Sequence, residues 1–197
     1  AYMYFLKAIL VNFFYSLLSK RGCSFVFFFL FSFGIYAQHS NVQVTSGATV
    51  GGSWSVTGSG VTTLYSFTPS ADNANINVTD ITNRLIGSGT TQGGVKVVTT
   101  NTTGTQVGNV NFVVGLSALN NSTTSRYKLQ VVAGGDIVVS SSMVLDGSAY
   151  YSSSNYGHDI DFSAVGNVLL NGFISTSGHS FSGGSTQVVS TGGNVTI

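Results

Sequence analysis

A five-residue pattern returns four times in the second half of the chain. Gly108-Asn109-Val110-Asn111-Phe112 is followed by Gly135-Asp136-Ile137-Val138-Val139, then Gly166-Asn167-Val168-Leu169-Leu170, then Gly193-Asn194-Val195-Thr196-Ile197. The intervals between the leading glycines are 27, 31 and 27 residues. Self-similarity at a fixed period of about 20–50 residues marks a stacked-repeat architecture, because one such unit cannot bury its apolar side alone.

The alignment runs past the pentad. Eight residues after the glycine stand Leu116, Met143 and Ile174, and ten after it stand Ala118, Leu145 and Thr176. Twelve after it stand Asn120, Gly147 and Gly178, read as turn residues able to take positive φ. Four before the later glycines stand Val131, Phe162 and Val189. Apolar residues two apart and separated by Gly, Asn and Ser turns give three short strands per repeat. Parallel stacking about 4.8 Å apart satisfies the backbone from rung to rung and lines the inward residues up as columns. The expected columns are Val110/Ile137/Val168/Val195 and Phe112/Val139/Leu170/Ile197, beside a polar ladder of Asn109, Asp136, Asn167 and Asn194. The fold expected is therefore all-β, a right-handed parallel β-helix over residues 94–197. The longer second repeat places its four extra residues in the loop 148–157, SAYYSSSNYG.

The repeated G-N-[VI]-x-[VLFI] unit, with second strands such as NGFISTS at 171–177, resembles filamentous-haemagglutinin-type and related large secreted β-helix surface proteins. The leader ending Tyr36-Ala37-Gln38 and the Ser, Thr and Asn-rich style are similar to exported surface proteins of Bacteroidota. The likeness covers about residues 94–197, and its low-complexity motifs specify architecture more than function. It implies an adhesin or a stalk. The chain departs from the secretion-domain pattern of two-partner adhesins, so that export route is not carried over.

Residues 38–93 are less regular and are read as an N-terminal β cap, since the first rung of a β-helix needs its edge and core covered. Strands are expected over 42–49, 53–57, 62–67 and 75–78, with a turn at 68–73 and one helical turn over 80–85 capped by Asp80. Trp54, Tyr65 and Phe67 are the candidate plugs. The alternative is an independent small sandwich.

Composition divides the chain sharply. Nine of the 14 Phe lie in residues 1–37, with Lys7, Lys20, Arg21 and the single Cys23. The run SFVFFFLFSFGIYA at 24–37 has the length of a signal-peptide core and is too short to span a bilayer. Lys20 and Arg21 precede it, and Ala37 is the small residue expected at cleavage before Gln38. A second apolar stretch, 8–18, makes this an over-long leader in preference to a membrane hairpin. Export to the cell surface or outside is expected, with the membrane met only through the leader.

From Gln38 onward, 46 Ser or Thr and 14 Asn accompany only Arg84, Lys96, Arg126 and Lys128 against six Asp and no Glu. With no basic cluster to neutralise phosphates, nucleic acid is excluded as a partner. One cysteine excludes a disulfide-stapled fold and a cysteine-ligated zinc site, and no cofactor is expected.

Two candidate sites stand out. Asp159 and Asp161 share one face of a strand, and paired carboxylates can bind calcium or act as acid and base on the outer face of β-helix sugar lyases and hydrolases. No Asp, Arg or Lys is expected at a matching position on a neighbouring rung, so the pair is read as keeping a solvated face soluble. Tyr150, Tyr151 and Tyr156 lie in the inserted loop, where a sugar ring or a host or matrix protein can stack on them. His179 is read as a solvent-exposed loop residue, and His39 as disordered beside the processed terminus.

The reading is an exported structural or adhesive β-helix segment of a larger surface protein, without catalysis. Its rival is a β-helix polysaccharide lyase or glycoside hydrolase whose active face lies mostly beyond this segment. An ice- or crystal-binding array would repeat one outward residue, yet the fourth pentad position reads Asn111, Val138, Leu169 and Thr196. Because the fourth pentad ends at Ile197 without charge, bulge or proline, further rungs and a cap are expected beyond it.

Overall fold

The computed structural model describes residues 39–100, 104–120, 125–147, 156–178 and 183–197; residues 1–37, expected to be a leader, and Tyr150, Tyr151 and His179 lie outside the described residues. These residues form a mostly β fold with one helix, a β-solenoid of about four turns with parallel sheets. In chain order they are β1 (Val42–Thr45), β2 (Gly52–Thr57), β3 (Leu64–Pro69), β4 (Ala74–Asn77) and helix α1 (Val78–Ile86). Then follow β5 (Gly94–Val98), β6 (Val110–Phe112), β7 (Leu116–Ser117), β8 (Lys128–Ala133), β9 (Ile137–Val139) and β10 (Met143–Val144). The chain ends with β11 (Asp159–Ala164), β12 (Val168–Leu170), β13 (Ile174–Ser175), β14 (Thr186–Ser190) and β15 (Val195–Thr196).

Three sheets line the coil. The first runs β4-β1-β6-β9-β12-β15, the second β7-β10-β13, and the third β2-β3-β5-β8-β11-β14. All pairings are parallel except β2 with β3, which blunts the start of the third sheet with an antiparallel strand. The pentad register is the expected one: Val110 pairs with Ile137, Ile137 with Val168, and Val168 with Val195. Leu116, Met143 and Ile174 likewise share one column in the second sheet. Alternation then follows from the pleat, which sends Val110, Phe112, Ile137, Val139 and Val168 inward to full burial. At the last turn Val195 keeps the column but is 43% exposed, and Ile197 lies outside β15.

The polar ladder forms, mainly through side chain to backbone bonds, with one side-chain pair in which Asn167 Nδ2 donates to Asp136 Oδ1 at 3.3 Å. Each side-chain oxygen accepts from the backbone N–H of the next rung: Asn109 from Asp136 N at 2.7 Å, Asp136 from Asn167 N at 2.6 Å, Asn167 from Asn194 N at 2.9 Å. The column also begins earlier. Asn41 Oδ1 accepts from Gly108 N and Asn109 N, and Gln106 Oε1 accepts from the backbone of both Asn41 and Asn73. Asn109→Ala would leave the Asp136 N–H without its acceptor, so a loss of about 1–3 kcal/mol in urea unfolding is expected. An unchanged midpoint would show the ladder to be ornamental.

Those additional members revise the reading of residues 38–93. The segment does not sit wholly before the coil. Strand β1 is laid between β4 and β6, paired in parallel with both. Its sequence, Ser40-Asn41-Val42-Gln43-Val44, is the pentad with serine in place of the leading glycine. Two further expectations change. The helix extends to Val78–Ile86 and is capped by Asn77, whose side chain accepts from Thr79 N at 2.8 Å, while Asp80 lies inside the first turn. Asn120 does not take positive φ; it is buried, accepting from Gln92 Nε2 and donating to the Ser125 carbonyl.

Helix α1 closes the core, burying Ile81 and Leu85, and Thr82 Oγ1 donates to the Ser117 carbonyl of β7. Phe67 is fully buried and Tyr65 nearly so, while Trp54 is half-buried, edge-on to Phe67 at 5.3 Å. The Arg84 guanidinium lies 4.0 Å over the Trp54 ring and is tied to Asp80, pinning the helix to the first turn. His39 is packed instead of free. It bridges Gln106, and its ring occupies the space where side chains on Gly108 (φ 84°) and Gly134 would stand.

One column slips. Val188, not Val189, is opposite Phe162, and Val189 faces outward opposite Ser163. The corner between Ser190 and Val195 is one residue longer than that between Ala164 and Val168, and one residue is enough to turn a strand over.

Candidate functional site

The outer face of the third sheet gathers four of the ten charged side chains found from residue 38 onward, Lys96, Lys128, Asp159 and Asp161. Alternation along β5, β8, β11 and β14 turns Lys96, Gln130, Asp161 and Gln187 outward in one column, each the register partner of the next. One step along the strands, Lys128 pairs with Asp159. The expectation of no cation at a matching position is thus corrected. The missed signal was in the spacing: Lys128 precedes Asp159 by 31 residues, the interval that separates Gly135 from Gly166.

The two carboxylates reach in opposite directions along the coil axis. Asp161 reaches to the preceding turn, accepting from Gln130 Nε2 at 3.1 Å and pairing with Lys128 Nζ at 3.5 Å. Asp159 reaches to the following turn, accepting from Ser185 N at 2.8 Å and Ser185 Oγ at 3.2 Å. Lys128 is 49% exposed, so its ion pair contributes at most about 1 kcal/mol. Chemically, the strip offers two carboxylates, two ammonium groups and two amides on a flat face. Both carboxylates already hold neighbouring turns together.

Asp146 is used in the same way at another corner, where its side chain accepts from Ser177 N at 2.7 Å and from Ser175 Oγ. Among the described residues, no three His, Cys, Asp or Glu side chains gather in a manner that could hold a metal ion. No described helix is long and apolar enough to cross a membrane.

Of the three tyrosines of the inserted loop, Tyr156 is described. Its ring lies under the Arg126 guanidinium at 4.9 Å, a partner that sequence reasoning did not name. Arg126 belongs to the segment leading into β8, directly before Tyr127 and Lys128, so the loop's end is tied to the preceding turn.

Where β11 begins, the interior turns polar. His158 is completely buried, in register with Tyr127 of the turn before and Gly184 of the turn after. The Tyr127 ring stands 6.3 Å away, tilted by 48°. The corner has no room above: a side chain on Gly184 would collide with the His158 carbonyl. Neither ring nitrogen of His158 reaches a hydrogen-bond partner. Burial pushes its pKa down to about 4, opposed by the nearby Tyr127 carbonyl and by Asp159.

Compared with known protein families, with curated proteins and with solved structures, the chain matches none.

Proposed function

We propose that the chain is an exported structural or adhesive segment of a cell-surface protein, a right-handed β-helix whose work is to hold a stiff, polar surface. The observation that carries this reading is the use made of polar side chains. Asn41, Asn109, Asp136, Asn167, Asp146, Asp159 and Asp161 all spend their oxygens on the adjacent turn. Side chains committed to joining turns serve rigidity. Residues 1–37 act as the leader, cleaved before Gln38, and residues 38–93 start and cover the coil. Glycans and host or matrix proteins are the partners, met through the loop bearing Tyr150, Tyr151 and Tyr156.

Two measurements test this. Protein recovered from the surface fraction of the producing cell should begin at or near Gln38; an intact Ala1–Ala37 segment would make it an anchor. On a glycan or matrix array, replacing the three tyrosines with serine should weaken binding at least severalfold while leaving the thermal midpoint nearly unchanged. Equal binding by variant and parent removes the loop as the contact surface.

A second reading, a carbohydrate-active enzyme, is favoured by the outward strip Lys96, Lys128, Asp159 and Asp161, which puts acids and cations on one parallel face. Release of unsaturated or reducing ends from acidic polysaccharides, lost in Asp161→Asn, would establish it over the structural one.

A further inference from the structure

Among the described residues Ser40, Trp54, Arg84 and Asn111 each leave one buried polar side-chain atom without a hydrogen-bond partner, and His158 leaves both of its ring nitrogens so. It is buried with both ring nitrogens unpaired, at the point where the chain enters β11 from the inserted loop. A neutral imidazole leaves one donor and one acceptor unpaired against Tyr127, but it carries no charge. An imidazolium would be a buried charge with two unpaired donors.

We propose that His158 makes the entry to β11 an acid-labile joint, at which mild acid parts β11 from β8 before the other turns open. The Tyr127 carbonyl and Asp159 relieve the charge only in part, and burial outweighs both. Tyr127 faces it from the preceding turn, through an aromatic ring and a carbonyl that already accepts from Asp159 N at 2.9 Å. Asp159, on the same strand, turns its carboxylate outward to Ser185 of the next turn. From the second sheet His158 is approached by the Leu145 carbonyl, which accepts its backbone N–H; the following turn contributes Gly184. The remaining charged groups on these segments, Asp146, Arg126 and Lys128, are each one residue away from these contacts.

The sign follows from where the proton binds. The unfolded chain takes it near the ordinary value of 6.5, and the folded corner only near 4. Stability from a neutral His158 is therefore present above pH 6.5 and is lost as the pH falls through that window, by up to about tenfold in the opening equilibrium per pH unit. Because turns in a solenoid contact only their neighbours, such a loss can open one place without unfolding the rest.

Hydrogen exchange followed by mass spectrometry, corrected for the intrinsic pH dependence of exchange, tests the joint. Between pH 6.5 and 4.5, protection across β11 should fall by roughly tenfold per unit in the parent, well beyond any change in β1 and β6. In His158→Phe, which keeps an aromatic ring and cannot take a proton, that differential should vanish. The same acid loss in the variant, or a uniform loss across all turns of the parent, overturns the proposal. Should His158→Phe fail to fold, the ring titration of the parent decides. With only three histidines in the chain, its NMR signal can be assigned, and a titration near 6.5 rejects the joint whereas one below about 5 sustains it.

Discussion

Ile137→Asp is expected to leave the coil unfolded at neutral pH. Ile137 is completely buried and stands midway in the column Ala74/Val42/Val110/Ile137/Val168/Val195, with neighbours on both sides of its own turn. A carboxylate there either remains charged without a partner or takes up a proton at the cost of a strongly raised pKa. Either route costs several kcal/mol, a large share of the roughly 5–15 kcal/mol that holds a typical domain together. Ile137→Val is the control, keeping shape and polarity and costing about 0.5–1.5 kcal/mol. Far-UV circular dichroism and limited proteolysis of the two variants check this. A folded Ile137→Asp with the parent's urea midpoint would place residue 137 on the solvent side and dissolve the register on which the rest depends.

Removal of the Phe112 ring is expected to cost about 3–5 kcal/mol. Phe112 of the first sheet and Phe162 of the third are both completely buried and stack across the interior with centroids 6.0 Å apart. They are also on different turns: Phe112 belongs to β6, whereas β11 lies two strands further along the third sheet from β5. Alanine at 112 therefore opens a cavity between turns as well as between sheets. Phe162→Ala should cost a similar amount. Since they share one contact, the double variant should fall short of the sum by about 0.5–1.5 kcal/mol, measured by urea unfolding of all four proteins. Strict additivity would mean that the rings pack independently.

What could be read in advance depended on whether a residue's role repeats. The columns through Ile137 and Met143 were legible, because apolar positions matched at intervals of 27 or 31 residues are what stacked turns of a coil require. The polar column was legible too, although its main bond was not: a side-chain oxygen that fits a side-chain amide, as Asp136 does with Asn167, fits a backbone N–H equally well, and nothing in residue type distinguishes them. Val189 was misplaced because a gapless alignment cannot show a corner lengthened by one residue. Strand β1 was missed as a member of the first sheet because Ser40 replaces the glycine that announces the other units, and because its partners β4 and β6 flank it in space while following it in sequence. Of the site residues, Asp159 and Asp161 were found as a pair, but their separate commitments, one to each adjacent turn, depend on Ser185 and Gln130, which only the register brings near. His158 headed the motif His158-Asp159-Ile160-Asp161, but nothing in residue type signalled that its ring is buried. A histidine before an acidic strand looks solvated until the corner is built around it.

The placement of β1 has a mechanical consequence. In most coils the first strand lies at an edge, and a pull on the chain's start peels it away one hydrogen bond after another. Here the first described strand is held on both flanks, with Val42 N donating to the Asn109 carbonyl and Ala74 N donating to the Asn41 carbonyl. A load applied ahead of residue 39 along the strand direction has to shear two parallel ladders at once, sharing the force among their bonds. Tension entering from that side is thus delivered into the middle of a sheet, and the coil resists it as a dowel resists withdrawal from between two boards.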